Sequence, residues 1–197
     1  MTVKSFTRST ITTDYKYQDF AVGNTPYNQL YAYQSIATQS VGAGGASSVT
    51  FSSIPQTFKH LQIRYIVRSS SAGSVDYAFM QFNGDTATNY SRHYVYGDGT
   101  TASSFAQATV NAIWAGQSPV ASTTANIFGA GVIDILDYAN ANKNKTVRTL
   151  GSYDANGSGR AELTSGSWLS TSAITQITLL GPTSYVQNTQ FALYGVN

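Results

Sequence analysis

Leu61-Gln62-Ile63-Arg64-Tyr65-Ile66-Val67-Arg68 sends Leu61, Ile63, Tyr65 and Val67 to one side and Gln62, Arg64 and Arg68 to the other. A period of two is the mark of a half-buried β-strand, because successive side chains leave a strand on opposite faces. Working outward, Val49 and Phe51 alternate with Ser and Thr over 47–54 until Pro55 ends the run. Similar runs cover 35–41, 75–82, 89–96, 146–153, 160–169, 174–180 and 189–196, and 126–138 holds the most apolar one, Val132-Ile133-Asp134-Ile135-Leu136. Turn signals separate them: Gly42-Ala43-Gly44-Gly45, Asn83-Gly84-Asp85, Gly97-Asp98-Gly99, the polar tip 140–144 and Asn156-Gly157-Ser158-Gly159. Residues 100–124 are weakly patterned and predict one strand over 109–115 plus a long loop. Roughly ten short strands, no helical stretch and no fixed repeat predict an antiparallel two-sheet β-sandwich, with a jelly-roll-like order preferred.

The length of 197 residues suits one domain with a short appendage. We read residues 1–33 as an N-terminal arm and 34–197 as the head. With no cysteine, disulfides and thiolate metal sites are excluded. Charged residues make up 10% of the chain, far below the roughly 25% of an average soluble domain. Ser and Thr, about a quarter of the residues, carry the polarity instead. Such a surface docks against copies of itself or a larger assembly without desolvating many charges. The net charge is +2, and the nearest basic cluster is Lys143, Lys145 and Arg148, too sparse to predict nucleic-acid binding. Neither a signal peptide nor an apolar run of membrane-spanning length is expected.

In the arm, Tyr15, Tyr17, Phe20, Tyr27 and Tyr31, followed by Tyr33, supply aromatic groups without a stretch that could form its own core. Disordered tails are poor in aromatics and interfaces are rich in them, which favours an anchoring arm over a tail.

Candidate chemistry is thin. His60 and His93 are the two histidines, each in a strand context, and no further ligand lies close enough in sequence to suggest a metal site. No Gly-x-Ser-x-Gly element sits at a strand-to-helix turn. Asp134 and Asp137 are three residues apart, so in a strand they point to opposite faces, and Glu162 is the sole glutamate. A glycosidase pair is therefore not expected. The stretch Asp154-Ala155-Asn156-Gly157-Ser158-Gly159 reads as a hairpin turn and not a calcium loop, and Asp85 and Asp98 read as turn residues. We expect no enzyme, metal or cofactor. The aromatic stripe Tyr90, Tyr94 and Tyr96, with Val95 pointing the other way, could stack on a glycan, cover a neighbouring subunit or fill the core. Trp114 and Trp168 read as buried, given Ile113 and Leu169 beside them.

The segment from Val49 through Ser52-Ser53-Ile54-Pro55-Gln56-Thr57-Phe58-Lys59-His60 to Arg64 resembles a pattern in small structural proteins of tailed bacteriophages and prophages. Phe82-Asn83-Gly84-Asp85, the stretch 133–140 and the closing Phe191-Ala192-Leu193-Tyr194-Gly195 resemble the same group. The resemblance covers about residues 34–197. It implies a location on the virion surface after synthesis in the bacterial cytoplasm, homotrimeric assembly and contact with other virion proteins. It leaves open a tail-associated fibre or host-attachment module, for which host surface glycan would be a partner, and a capsid decoration protein. A free carbohydrate-binding module is the further alternative.

Overall fold

A computed structural model describes residues 32–197. The arm residues Tyr15, Tyr17, Phe20, Tyr27 and Tyr31 lie outside the described residues. Twelve strands follow: β1 (Tyr33–Ser40), β2 (Ala46–Phe51), β3 (His60–Val67), β4 (Asp76–Phe82), β5 (Tyr90–Gly97), β6 (Ala102–Val110), β7 (Ile113–Ser118), β8 (Gly129–Leu136), β9 (Lys145–Asp154), β10 (Gly159–Trp168), β11 (Ile177–Tyr185) and β12 (Gln190–Val196). All pairings are antiparallel, in an eight-stranded sheet of order β1-β12-β3-β8-β9-β10-β5-β6 and a four-stranded sheet of order β2-β11-β4-β7.

The alternation in β3 decides which side is inside. Leu61, Ile63, Tyr65 and Val67 are at most 4% exposed, whereas Ile66 on the other face is 49% exposed. Ile133 and Ile135 of β8 and Phe191 and Leu193 of β12 flank this row, and Phe51, Met80, Phe82, Ile177 and Leu179 oppose it from the smaller sheet. Each such side chain contributes roughly 1.5–3 kcal/mol when fully buried, so this four-on-four block holds the fold together. The tight turn after β4 uses Asn83 and Gly84 at φ 52° and 70°, backbone angles that Asn and Gly tolerate best. The Asn83 side chain then accepts the Thr175 and Gln176 amides, tying the turn to the approach to β11.

Two expectations need revision. Residues 102–118 form two strands, β6 and β7, where the sequence suggested one strand and a long loop. The signal was absent because β6 is exposed on both faces and β7 is buried at every position, so neither alternates. Tyr33 belongs to β1, so the first strand begins one residue inside the expected arm.

Candidate ligand cleft and aromatic shelf

Beyond β8 the large sheet continues through β9, β10, β5 and β6, and from the smaller sheet it is β7 that packs over this extension. The inward row here is polar. Thr149, Glu162 and Thr164 are nearly fully buried, and the Oγ1 atoms of both threonines lack a hydrogen-bond partner. Glu162 is 5% exposed. Its Oε1 accepts the Gln117 amide of β7. Burial pushes its carboxyl up to about 7, against the Gln117 amide and the Arg160 guanidinium, which favour the charged form. The Tyr65 hydroxyl reaches the same layer without a partner, and burial raises its pKa. Gly116, Gly131 and Gly151, from three different strands, make its slot: a Cβ at any of them would collide with the phenol oxygen.

Where the extension passes the edge of β7, aromatic rings line the sheet. Tyr94 and Tyr96 stack with centroids 5.6 Å apart. Tyr94 meets Trp114 edge-on at 4.3 Å and Phe105 at 5.8 Å. Arg92 lies over Trp114 at 4.3 Å, and its Nε donates to the Gln107 side chain. Arg160 lies over Tyr96, also at 4.3 Å, and Nη1 donates to Gln117 Oε1. Arginine over an aromatic face gains electrostatic attraction while keeping donors free at its rim.

Arg160 carries this shelf into a cleft of about 550 Å3 at the loop end of the extension. Asp98, Thr100, Ser122, Thr123, Thr124, Tyr153 and Ser158 share its walls. A second hollow of about 490 Å3 adjoins it, with Asp98, Tyr153 and Arg160 in common. Two devices hold the walls. Buried Arg68 donates to the carbonyls of Thr123, Thr124 and Ile127 at 3.0, 3.0 and 2.7 Å, pinning the loop after β7. Asp98 Oδ1 accepts the Thr100 and Thr101 amides and the Thr100 hydroxyl, which depress its carboxyl to about 2 and fix the β5–β6 turn.

Of the three stripe tyrosines, the structure brings two together. Tyr94 and Tyr96 are half-buried in the shelf, while Tyr90 is fully buried against Phe82 and Trp168 and donates to the Asp85 carbonyl at 2.9 Å. Val95 faces the other way and is 48% exposed, and Trp114 and Trp168 are buried. Asp134 bonds Gln62 and Arg148, whereas Asp137 bonds Lys143, so the two carboxylates serve different partners. His60 Nδ1 accepts the Asp137 amide. His93 is exposed on the outer face. Among the described residues no three His, Cys, Asp or Glu side chains gather to hold a metal. Lys145 is fully buried on the carbonyls of Asn140, Lys143 and Thr171, so the sparse basic cluster does not form one face. Residues 154–159 make a hairpin turn, with the Asn156 amide on Asp154 Oδ1 and the Ala155 amide on the Ser158 carbonyl. Arg160, Tyr153 and the loop 119–124 were not legible as site residues, because strand pairing sets Arg160 against Tyr153 and contacts from Arg68, distant in sequence, hold the loop beside them.

Comparison of the chain with protein-family models, curated proteins and solved structures finds no match.

Proposed function

We propose that this chain is a non-enzymatic recognition module on the surface of a tailed-phage particle, a host-attachment head that binds glycan at the end of its extended sheet. The observation that carries the binding part is Arg160, braced on Tyr96 and Gln117 in a cleft lined by hydroxyl groups. A pre-formed concave site with a few convergent polar groups is the usual form of a small-ligand site. Fixed donors beside aromatic rings suit a ligand that is hydroxylated at its edge and apolar on its face. The particle location rests on the sequence resemblance, as does the expected homotrimer. The strand order supports the jelly-roll-like reading: β1-β12-β3-β8 opposes β2-β11-β4-β7, and within this block the steps β1–β2, β2–β3, β3–β4, β7–β8 and β11–β12 each cross from one sheet to the other.

The test is binding of the full chain to purified bacterial surface polysaccharides, with Arg160→Ala and Tyr96→Ala alongside. The proposal expects at least one polysaccharide bound by the native chain and lost in both variants. No binding to any, or binding unchanged by both substitutions, overturns the glycan reading. Locating the protein in intact particles by cryo-electron microscopy tests the rest. Density on the tail supports attachment, density on the head lattice transfers the role to decoration, and absence from the particle leaves a free carbohydrate-binding module.

A further inference from the structure

Strand β6 sits at the end of the eight-stranded sheet, with β5 on one side and, among the described residues, an open edge on the other. Seven of its nine residues are exposed, and Val110 alone packs against the core. Ordering a strand costs backbone entropy that burial normally offsets, and here burial offsets very little. The opposite edge strand, β1, differs, since Ile36 and Ala37 pack on the core. Edge strands are usually guarded against pairing by charge, proline or short length. Ala102–Val110 has no charged residue and no proline, and its bulge, with Thr109 at φ 58°, falls near the end of the strand and leaves 102–107 in regular register.

Both faces beside this edge are apolar. Phe105 is 45% exposed on the shelf side. On the outer side a shallow hollow of about 440 Å3 is lined by Val95, Ala106 and Leu163 among others. A strand added beyond β6 would lay side chains against both.

We propose that the free edge of β6 pairs antiparallel with β6 of a second copy of this chain, joining two large sheets into one. A two-fold contact of this kind is self-complementary by symmetry. A register centred on Phe105 sets the two Phe105 rings opposite each other, an aromatic cross-strand pair, and places Ser103 opposite Gln107. With no charge in β6, two copies meet without like-charge repulsion. The inference departs from the expected homotrimer, because two-fold pairing joins copies in even numbers, and it does not depend on glycan binding.

The experiment is the mass of the full chain by light scattering and sedimentation over a dilution series, with hydrogen exchange at β6, for the native protein and for the double variant S104K/A106K. Both positions are exposed and outside the cleft, and circular dichroism checks that the fold survives. The expected result is an even number of copies, with the β6 amides that do not bond β5 protected only in the assembled form, and half the mass with free exchange at those same amides in the variant. Glycan binding is expected to be equal in both, so failure of one proposal is separable from failure of the other. A single copy at every concentration overturns the pairing. So does an odd-numbered assembly that the lysines leave intact. Protection of those outward amides in a single-copy species also overturns it and would point to residues 1–31 of the same chain on that edge.

Discussion

The large sheet is two structures in one plane. Its first four strands, β1-β12-β3-β8, lie opposite the four-stranded sheet and enclose aliphatic and aromatic side chains that are almost entirely dry. Its last four, β9-β10-β5-β6, are covered by β7 and then run out into solvent, and their inward row holds Glu162, Thr164, Arg92, Tyr94 and Tyr96. One half obtains stability from area removed from water. The other gives up that area and, among the described residues, keeps unpartnered polar atoms, partly exposed aromatic rings and an open edge. The dry core and the proposed recognition surface thus occupy different halves of one sheet, so a change in one half should leave the other largely intact.

The largest expected effect lies in the dry half. Ile133→Ala removes a fully buried side chain from β8 and should cost about 2–5 kcal/mol, read from the denaturant midpoint. A loss under about 1 kcal/mol would mean the four-on-four block is not the source of stability.

The second concerns Glu162. Its folded pKa of about 7 stands above its ordinary value of 4.5, so the folded state holds a proton that the unfolded state releases between those values. The stabilisation is complete below about pH 4.5 and lost as pH rises through about 7, on the order of 3 kcal/mol. Denaturant titrations from pH 4.5 to 8 should show this fall, and Glu162→Gln should flatten it. A native curve that is flat across the window would mean the carboxylate is solvated.

Third comes the seam between the halves. Gly151→Ala drives a Cβ into the Tyr65 hydroxyl and should cost about 1–3 kcal/mol. In a Tyr65→Phe background the same substitution should cost clearly less, since the colliding oxygen is gone and Glu162 Oε1 at 3.3 Å is the one tight contact left. Tyr65→Phe alone should not destabilise, because that hydroxyl is buried without a partner. Additive costs in the double variant would remove the phenol from the seam.

The smallest effect is expected at the outer end. Phe105→Ala, on a side chain 45% exposed, should change monomer stability by no more than about 0.5 kcal/mol. A larger loss would show that the shelf belongs to the core.

Legibility followed the same division. In β3, β9 and β12 one face is dry and the other wet, so the sequence alternates and the strands could be placed from it. In β6 and β7 both faces share one environment, wet for one and dry for the other, and alternation vanishes. The tyrosine stripe was legible as a stripe. That Tyr90 is core and Tyr94 shelf was not, because the difference depends on where β7 stops covering β5. Glu162 looked like an isolated acid, and its raised pKa comes from strands distant in sequence.

The sequence by itself determined an all-β sandwich, low charge, the absence of cysteine and most strand positions, since these follow from composition and from a local period of two. The tertiary structure decided that two hairpins, β5–β6 and β9–β10, would widen one sheet beyond its partner. That choice put Arg160 on Tyr96, sealed Glu162 under β7 and, among the described residues, left β6 uncovered. Pairing partners and coverage are set by contacts between residues far apart in the chain, and no local pattern encodes them.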